Sequence, residues 1–128
     1  MAGKLKAEWV EPILNALPVE ISFVDASGTL RYFSKENKRI FPRPPAAVGL
    51  KVRACHPKKS IAKVEEILDG FAAGTLDHAM FWIDYRGKKV LIQYFPVRDA
   101  KGKYLGCLEA TQDITGLQKL RGEKRLLG

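Results

Sequence analysis

The sequence predicts an α+β fold: a five-stranded antiparallel sheet with short helices and one longer helix on one face, plus flanking N- and C-terminal helices. Three observations predict it. Two β-rich runs, residues 90–97 and 104–112, flank the polar turn 98–103 and read as a long hairpin. A shorter pair of runs, 19–25 and 29–34, flanks Ala26-Ser27-Gly28 and reads as a second hairpin. Between the hairpins, Ile61, Val64, Ile67, Leu68 and Phe71 form one apolar stripe at helical spacing.

In chain order, Trp9, Val10, Ile13, Leu14 and Leu17 predict a helix within residues 1–18. Pro12 fits best in its first turn and Pro18 ends it. This short amphipathic helix either packs on its own domain or serves a dimer. After the first hairpin, residues 35–41 read as a short helix capped by Ser34, with Ile40 and Phe41 turned inward. Pro42, Pro44 and Pro45 forbid a longer one. Residues 46–49 make at most one helical turn, and 50–57 are irregular, containing Cys55-His56-Pro57. Ser60 is the expected N-cap of the longest helix, whose end Gly70 and Gly74 loosen. Residues 77–85 form a strand that Arg86-Gly87 turns into the long hairpin. Beyond Asp113 the pattern becomes a basic helical tail, 116–128, with Asp113 or Thr115 as its cap. Leu117, Leu120 and Leu127 are spaced like a heptad, but Lys124 interrupts a stripe too short for a coiled coil. The core domain is therefore 19–115.

The bulk properties bound the function. A chain of 128 residues is one domain with a real core. Two cysteines make neither a disulfide framework nor a zinc cluster, which suits a reducing cytoplasmic compartment. No apolar run has membrane-spanning length, and the N-terminus lacks a signal-peptide core. The net charge of +8 comes from scattered lysines and arginines without a nucleic-acid motif. A solvated surface accounts for it, and a basic nucleic-acid-binding module is the alternative. There is no Gly-rich phosphate loop, nucleophile motif or metalloprotease motif, so the reading is not an enzyme.

The order of elements, with Val24-Asp25 closing the first strand, Gly49 in the middle and Asp113-Ile114-Thr115 at the end, resembles a PAS sensory domain over almost the whole chain. Leu17-Pro18, Arg31-Tyr32-Phe33-Ser34, Arg39-Ile40-Phe41-Pro42-Arg43, the stretch from Cys55 to Ser60 and the stretch from Leu108 to Thr115 resemble one PAS subgroup. That subgroup often follows a domain of unknown function and a hemerythrin-like domain. The resemblance implies a small ligand held between sheet and helices, or a protein partner, and a signal passed through residues 109–113 into 117–127. An interaction-only PAS domain mediating dimerisation or partner binding, its core filled by Trp82, Tyr94 and Met80, is the alternative.

Aligned with flavin-binding photosensory PAS domains, this chain has Val52 at the photoreactive cysteine, Trp82 and Val90 at the paired asparagines, and Thr111 at the glutamine. Flavin photochemistry is not expected. The same alignment, with strand alternation, points Ser22, Val24, Met80, Trp82, Val90, Ile92, Tyr94, Cys107, Glu109 and Thr111 inward. The alignment puts His56 at the rim. The candidate cofactor-binding residues are thus Cys55, His56, Met80, Trp82, Ile92, Tyr94, Glu109 and Thr111. Glu109 is the unusual member, because a carboxylate out of water needs a partner. His56, Arg31, the Trp82 indole and the Tyr94 hydroxyl are candidates. Either Glu109 and His56 bind or sense a polar ligand, or Glu109 belongs to an internal hydrogen-bond network or is turned to solvent by a strand bulge. Haem is the named cofactor candidate, with His56 as the metal ligand and His78 as its substitute. The long helix, which carries the histidine in haem-sensing PAS kinases, has none here.

Overall fold

The computed structural model describes residues 2–52 and 58–127. Helix α1 spans Ala7–Ala16. Strands β1 (Glu20–Asp25) and β2 (Leu30–Phe33) form the first hairpin. A 3₁₀ turn at Pro45–Ala47 precedes helix α2, Lys58–Ala73. Strands β3 (Ala79–Tyr85), β4 (Lys88–Arg98) and β5 (Tyr104–Asp113) follow, then a 3₁₀ turn at Leu117–Lys119. The five strands form one antiparallel sheet in the order β2-β1-β5-β4-β3. The predicted fold class is therefore observed. Among the described residues no helix is long and apolar enough to cross a membrane.

Cross-strand register fixes the inner face. Glu20, Thr111, Ile92 and Phe81 form one rung, and Ser22, Glu109, Tyr94 and Ala79 the next. Phe71 of α2 is fully buried on this face against Val90, Ile92, Tyr94 and Cys107. Leu30, Phe33 and Ala47 make a second cluster at the β2 side. Two backbone positions allow this sheet. Arg86 and Gly87 both have positive φ, 50° and 79°, as a two-residue hairpin turn requires. At Gly106, φ is +155° and an added Cβ would lie 2.2 Å from the Val24 carbonyl, so β1 can approach β5 there only past a glycine.

Several expectations change, the first at α2, which runs from Lys58 and so holds Ser60 inside it rather than at its N-cap. Pro12 lies inside α1 rather than in its first turn, and α1 buries no residue. It is tethered at its end, where the Lys35 N–H donates to Asn15 Oδ1 at 2.9 Å. Residues 35–41 form no helix. Lys35 has φ of 55°, and the backbone groups that would build a helix bond to β1 side chains instead. The C-terminal segment is not helical beyond the turn at Leu117–Lys119. Leu120, Leu126 and Leu127 are exposed, and a short helix with nothing to pack against does not sustain itself. Asp113 and Thr115 do not cap a helix. Asp113 Oδ1 accepts the Thr115 N–H at 3.0 Å and its hydroxyl at 2.6 Å, while Thr115 Oγ1 accepts the Lys89 N–H at 2.9 Å. With Ile114 N–H donating to the Lys89 carbonyl at 2.9 Å, this clasp extends the β4–β5 pairing past the strand end.

The segment 35–44 owes its path to a buried ion pair. Arg39 Nη2 lies 3.4 Å from Glu20 Oε2, with side chains only 1% and 2% exposed. Glu20 accepts the backbone N–H groups of Ile40 and Phe41. Arg39 donates to the carbonyls of Phe41, Ile21 and Ser34 and to Ser22 Oγ. Burial lowers the Arg39 pKa and the Glu20 charge opposes that shift. Removing one partner strands a buried charge, at a cost of about 3–5 kcal/mol. Arg39→Met is expected to lose that much unfolding free energy in urea titrations. Arg31→Met, which breaks the exposed Arg31–Asp25 pair, is expected to lose no more than about 1 kcal/mol. Equal losses would contradict this assignment.

Candidate functional site

A cavity of about 430 Å³ lies between the inner face of the sheet and the segment 41–50. Ile92 and Tyr94 of β4 and Glu109 of β5 form its floor, because alternation turns these residues to the helical side. Phe41, Pro42, Arg43, Pro44, Ala46, Ala47 and Leu50 form its wall. The prolines hold that wall extended, Pro44 having φ −74° and ψ 145°. Phe41 packs edge-on against Tyr85, with ring centroids 5.0 Å apart. A second void of about 20 Å³ lies near Arg43, Tyr94 and Glu109 and is also lined by Ser22, Leu30 and Cys107.

The polar groups of the cavity converge on Glu109. Arg43 Nη2 is 3.9 Å from Glu109 Oε2, with side chains 16% and 13% exposed. The Thr111 hydroxyl donates to Glu109 Oε1 at 3.5 Å. Tyr94 is the cross-strand neighbour of Glu109, and burial, then the Glu109 charge, push its phenol pKa upward. Burial and Glu109 likewise push the Cys107 thiol from 9.0 up to about 12. The phenol and thiol are therefore neutral near pH 7.

The structure brings together Ile92, Tyr94 and Glu109, as expected, and sets fully buried Thr111 beneath Glu109. Ser22, Val24, Val90 and Cys107 also face inward. Met80 and Trp82 do not. Phe81 pairs with Ile92 and Ile83 with Val90, which puts Ala79, Phe81, Ile83 and Tyr85 on the inner face. Met80 and Trp82 are on the outer face, 51% and 60% exposed. A one-residue difference in register reverses every side chain of a strand. The Trp82 indole is therefore no partner of Glu109, and Arg31 is engaged by Asp25 at 2.6 Å. Cys55 and His56 lie outside the described residues. His78 is on the outer face, where its Nε2 is 3.0 Å from Gln93 Oε1 and its ring stacks on Phe95. Among the described residues no group of His, Cys, Asp and Glu could hold a metal ion.

Phe41 faces inward, as the sequence suggests, but Arg43, the ionic partner of Glu109, and the wall residues Ala46 and Leu50 were not expected at the site. The available signal was Pro42-Arg43-Pro44-Pro45, a charge fixed in a stiff segment that must cross the sheet.

The geometry has relatives. A family model described as a PAS domain matches residues 10–115. The C-terminal domain of a Streptococcus mutans protein superposes with a TM-score of 0.87 at 34% identity, covering 94% of each chain. The PAS domain of Bordetella pertussis BvgS gives 0.63 at 18% identity over 84% of this chain and 85% of that one. A sensory box sensor histidine kinase of Vibrio cholerae gives 0.59 at 12% identity over 84% and 90%. The last two likenesses concern the fold alone. A comparison with curated proteins gave no match.

The raised Cys107 pKa has a testable sign. The unfolded thiol ionises near 9.0 and the folded one near 12, so its contribution is whole below pH 9 and lost as pH rises to 12. Urea titrations between these values are expected to show stability falling, with the thiol contributing at most about 1.4 kcal/mol per pH unit. Cys107→Ala should flatten that fall by up to one proton. An unchanged slope would contradict the assignment.

Proposed function

The chain belongs to the PAS domain family, and on that premise we propose that it is a sensory module whose cavity binds a small molecule and whose final strand reports the occupancy. One observation carries the proposal. Glu109 lines the cavity, and four residues along the same strand Asp113 holds the Thr115 clasp at the start of the C-terminal segment. A ligand that moves Glu109 acts on a strand paired on both sides, and its displacement is felt at the clasp. A mostly apolar cavity of a few hundred Å³ with a few converging polar groups suits a small molecule. The proposal includes no catalysis. Haem is left with His56 as its histidine, since His78 is on the other side of the sheet.

A second reading has its own support. The apolar residues Trp9, Val10 and Ile13 of α1 and Met80 and Trp82 of β3 are exposed, as an interaction-only or homodimeric module would have them.

Native mass spectrometry and an absorption spectrum of freshly purified protein separate the two. The sensory reading expects added non-covalent mass, with a Soret band where that mass is haem and none otherwise, lost in Leu50→Trp, which adds bulk to the cavity lining. Bare mass together with a thermal midpoint indifferent to a metabolite screen would favour the interaction-only reading.

A further inference from the structure

We propose that the cavity takes a small organic carboxylate with an apolar body, its carboxylate on the Arg43 guanidinium and its body against Phe41, Leu50 and Ile92. The inference refines the sensory reading and rests on it. Its basis is the contrast between two arginines of the 35–44 segment. Arg39 makes four hydrogen bonds and a 3.4 Å ion pair, so its donors are used. Arg43 is 16% exposed, and its ion pair with Glu109 spans 3.9 Å, beyond hydrogen-bond length. Its Nε is buried and has no hydrogen-bond partner in the structure. A guanidinium has five N–H donors in a planar fork, and a carboxylate matches that fork with two oxygens.

The rest of the lining selects the body. Phe41, Pro42, Pro44, Ala46, Leu50 and Ile92 offer carbon surface that an inorganic anion would leave unfilled. Glu109 selects against higher charge. Its carboxylate already stands beside Arg43, so a singly charged ligand meets less repulsion than a phosphate ester does. The void of about 20 Å³ near Arg43 has room for about one water, which is the competing partner for Nε.

Calorimetric titration of the protein with hexanoate and benzoate, their neutral amides and inorganic phosphate tests this. The acids are expected to bind at least tenfold more tightly than the amides and than phosphate. Arg43→Gln should erase the preference for acids, and Glu109→Gln should retain or strengthen it. If Arg43→Gln does not fold, Arg43→Lys, which keeps the charge and loses the fork, should weaken acid binding severalfold. Amides that bind as tightly as acids, with Leu50→Trp abolishing both, would overturn the carboxylate assignment and leave the sensory cavity standing. Phosphate binding as tightly as benzoate would overturn the apolar-body assignment. No binding by any probe, with the purified protein at its bare mass, would overturn both readings.

Discussion

A buried arginine and a buried glutamate hold the cavity side of this domain in place. Glu20 projects from β1 into the space under the 35–44 segment, and Arg39 returns from that segment to meet it. Each charge is compensated by the other and by backbone groups, which makes an otherwise costly burial tolerable. The pair replaces the hydrogen bonds a local helix would have made. It also fixes where Phe41 and Arg43 emerge, and with them the wall of the cavity. Arg39 further lies over the Phe33 ring at 5.3 Å, which couples the segment to the second apolar cluster.

From this anchor the rest is a matter of reach. The proline-bound wall sets Arg43 across from Glu109, and the sheet supplies a floor whose side chains cannot tilt without moving their strand neighbours. Glu109 belongs to β5, which is paired with β1 on one side and β4 on the other. The same strand ends at Asp113, which holds Thr115, and Ile114 and Thr115 just beyond it bind back to Lys89. The chain thus joins a cavity to an exit segment through one strand. The C-terminal segment buries none of its leucines, so its conformation is open to whatever it meets.

Much of the fold was legible because its signals are local. The two hairpins, the Phe71 stripe and the Arg86-Gly87 turn announce themselves in a few residues each, and the PAS resemblance joined them into one architecture. On the floor of the cavity, Ile92, Tyr94 and Glu109 were found by strand alternation. Met80 and Trp82 were misplaced because alternation gives two faces and the sequence of an exposed edge strand does not say which is inner. β3 is apolar on both sides, so hydrophobicity could not choose between them. Arg43 was missed because ion pairing across 66 positions has no local signature. The tail and the 35–41 helix were overread for a shared reason: helical spacing predicts a helix only where a surface or a free backbone is there to support it.

The central claim is that occupancy of the Arg43–Glu109 cavity is felt at the end of β5. Two-dimensional ¹⁵N NMR during a benzoate titration tests it most directly, because the Arg43 side-chain Nε–H gives its own resonance. The account predicts that this signal moves together with the amides of Ile92 and Glu109, and that Ile114 and Thr115 follow with the same saturation curve. Shifts confined to the outer face around Met80, Trp82 and Leu91, or a moving Arg43 signal with Ile114 and Thr115 unchanged at saturation, would contradict it.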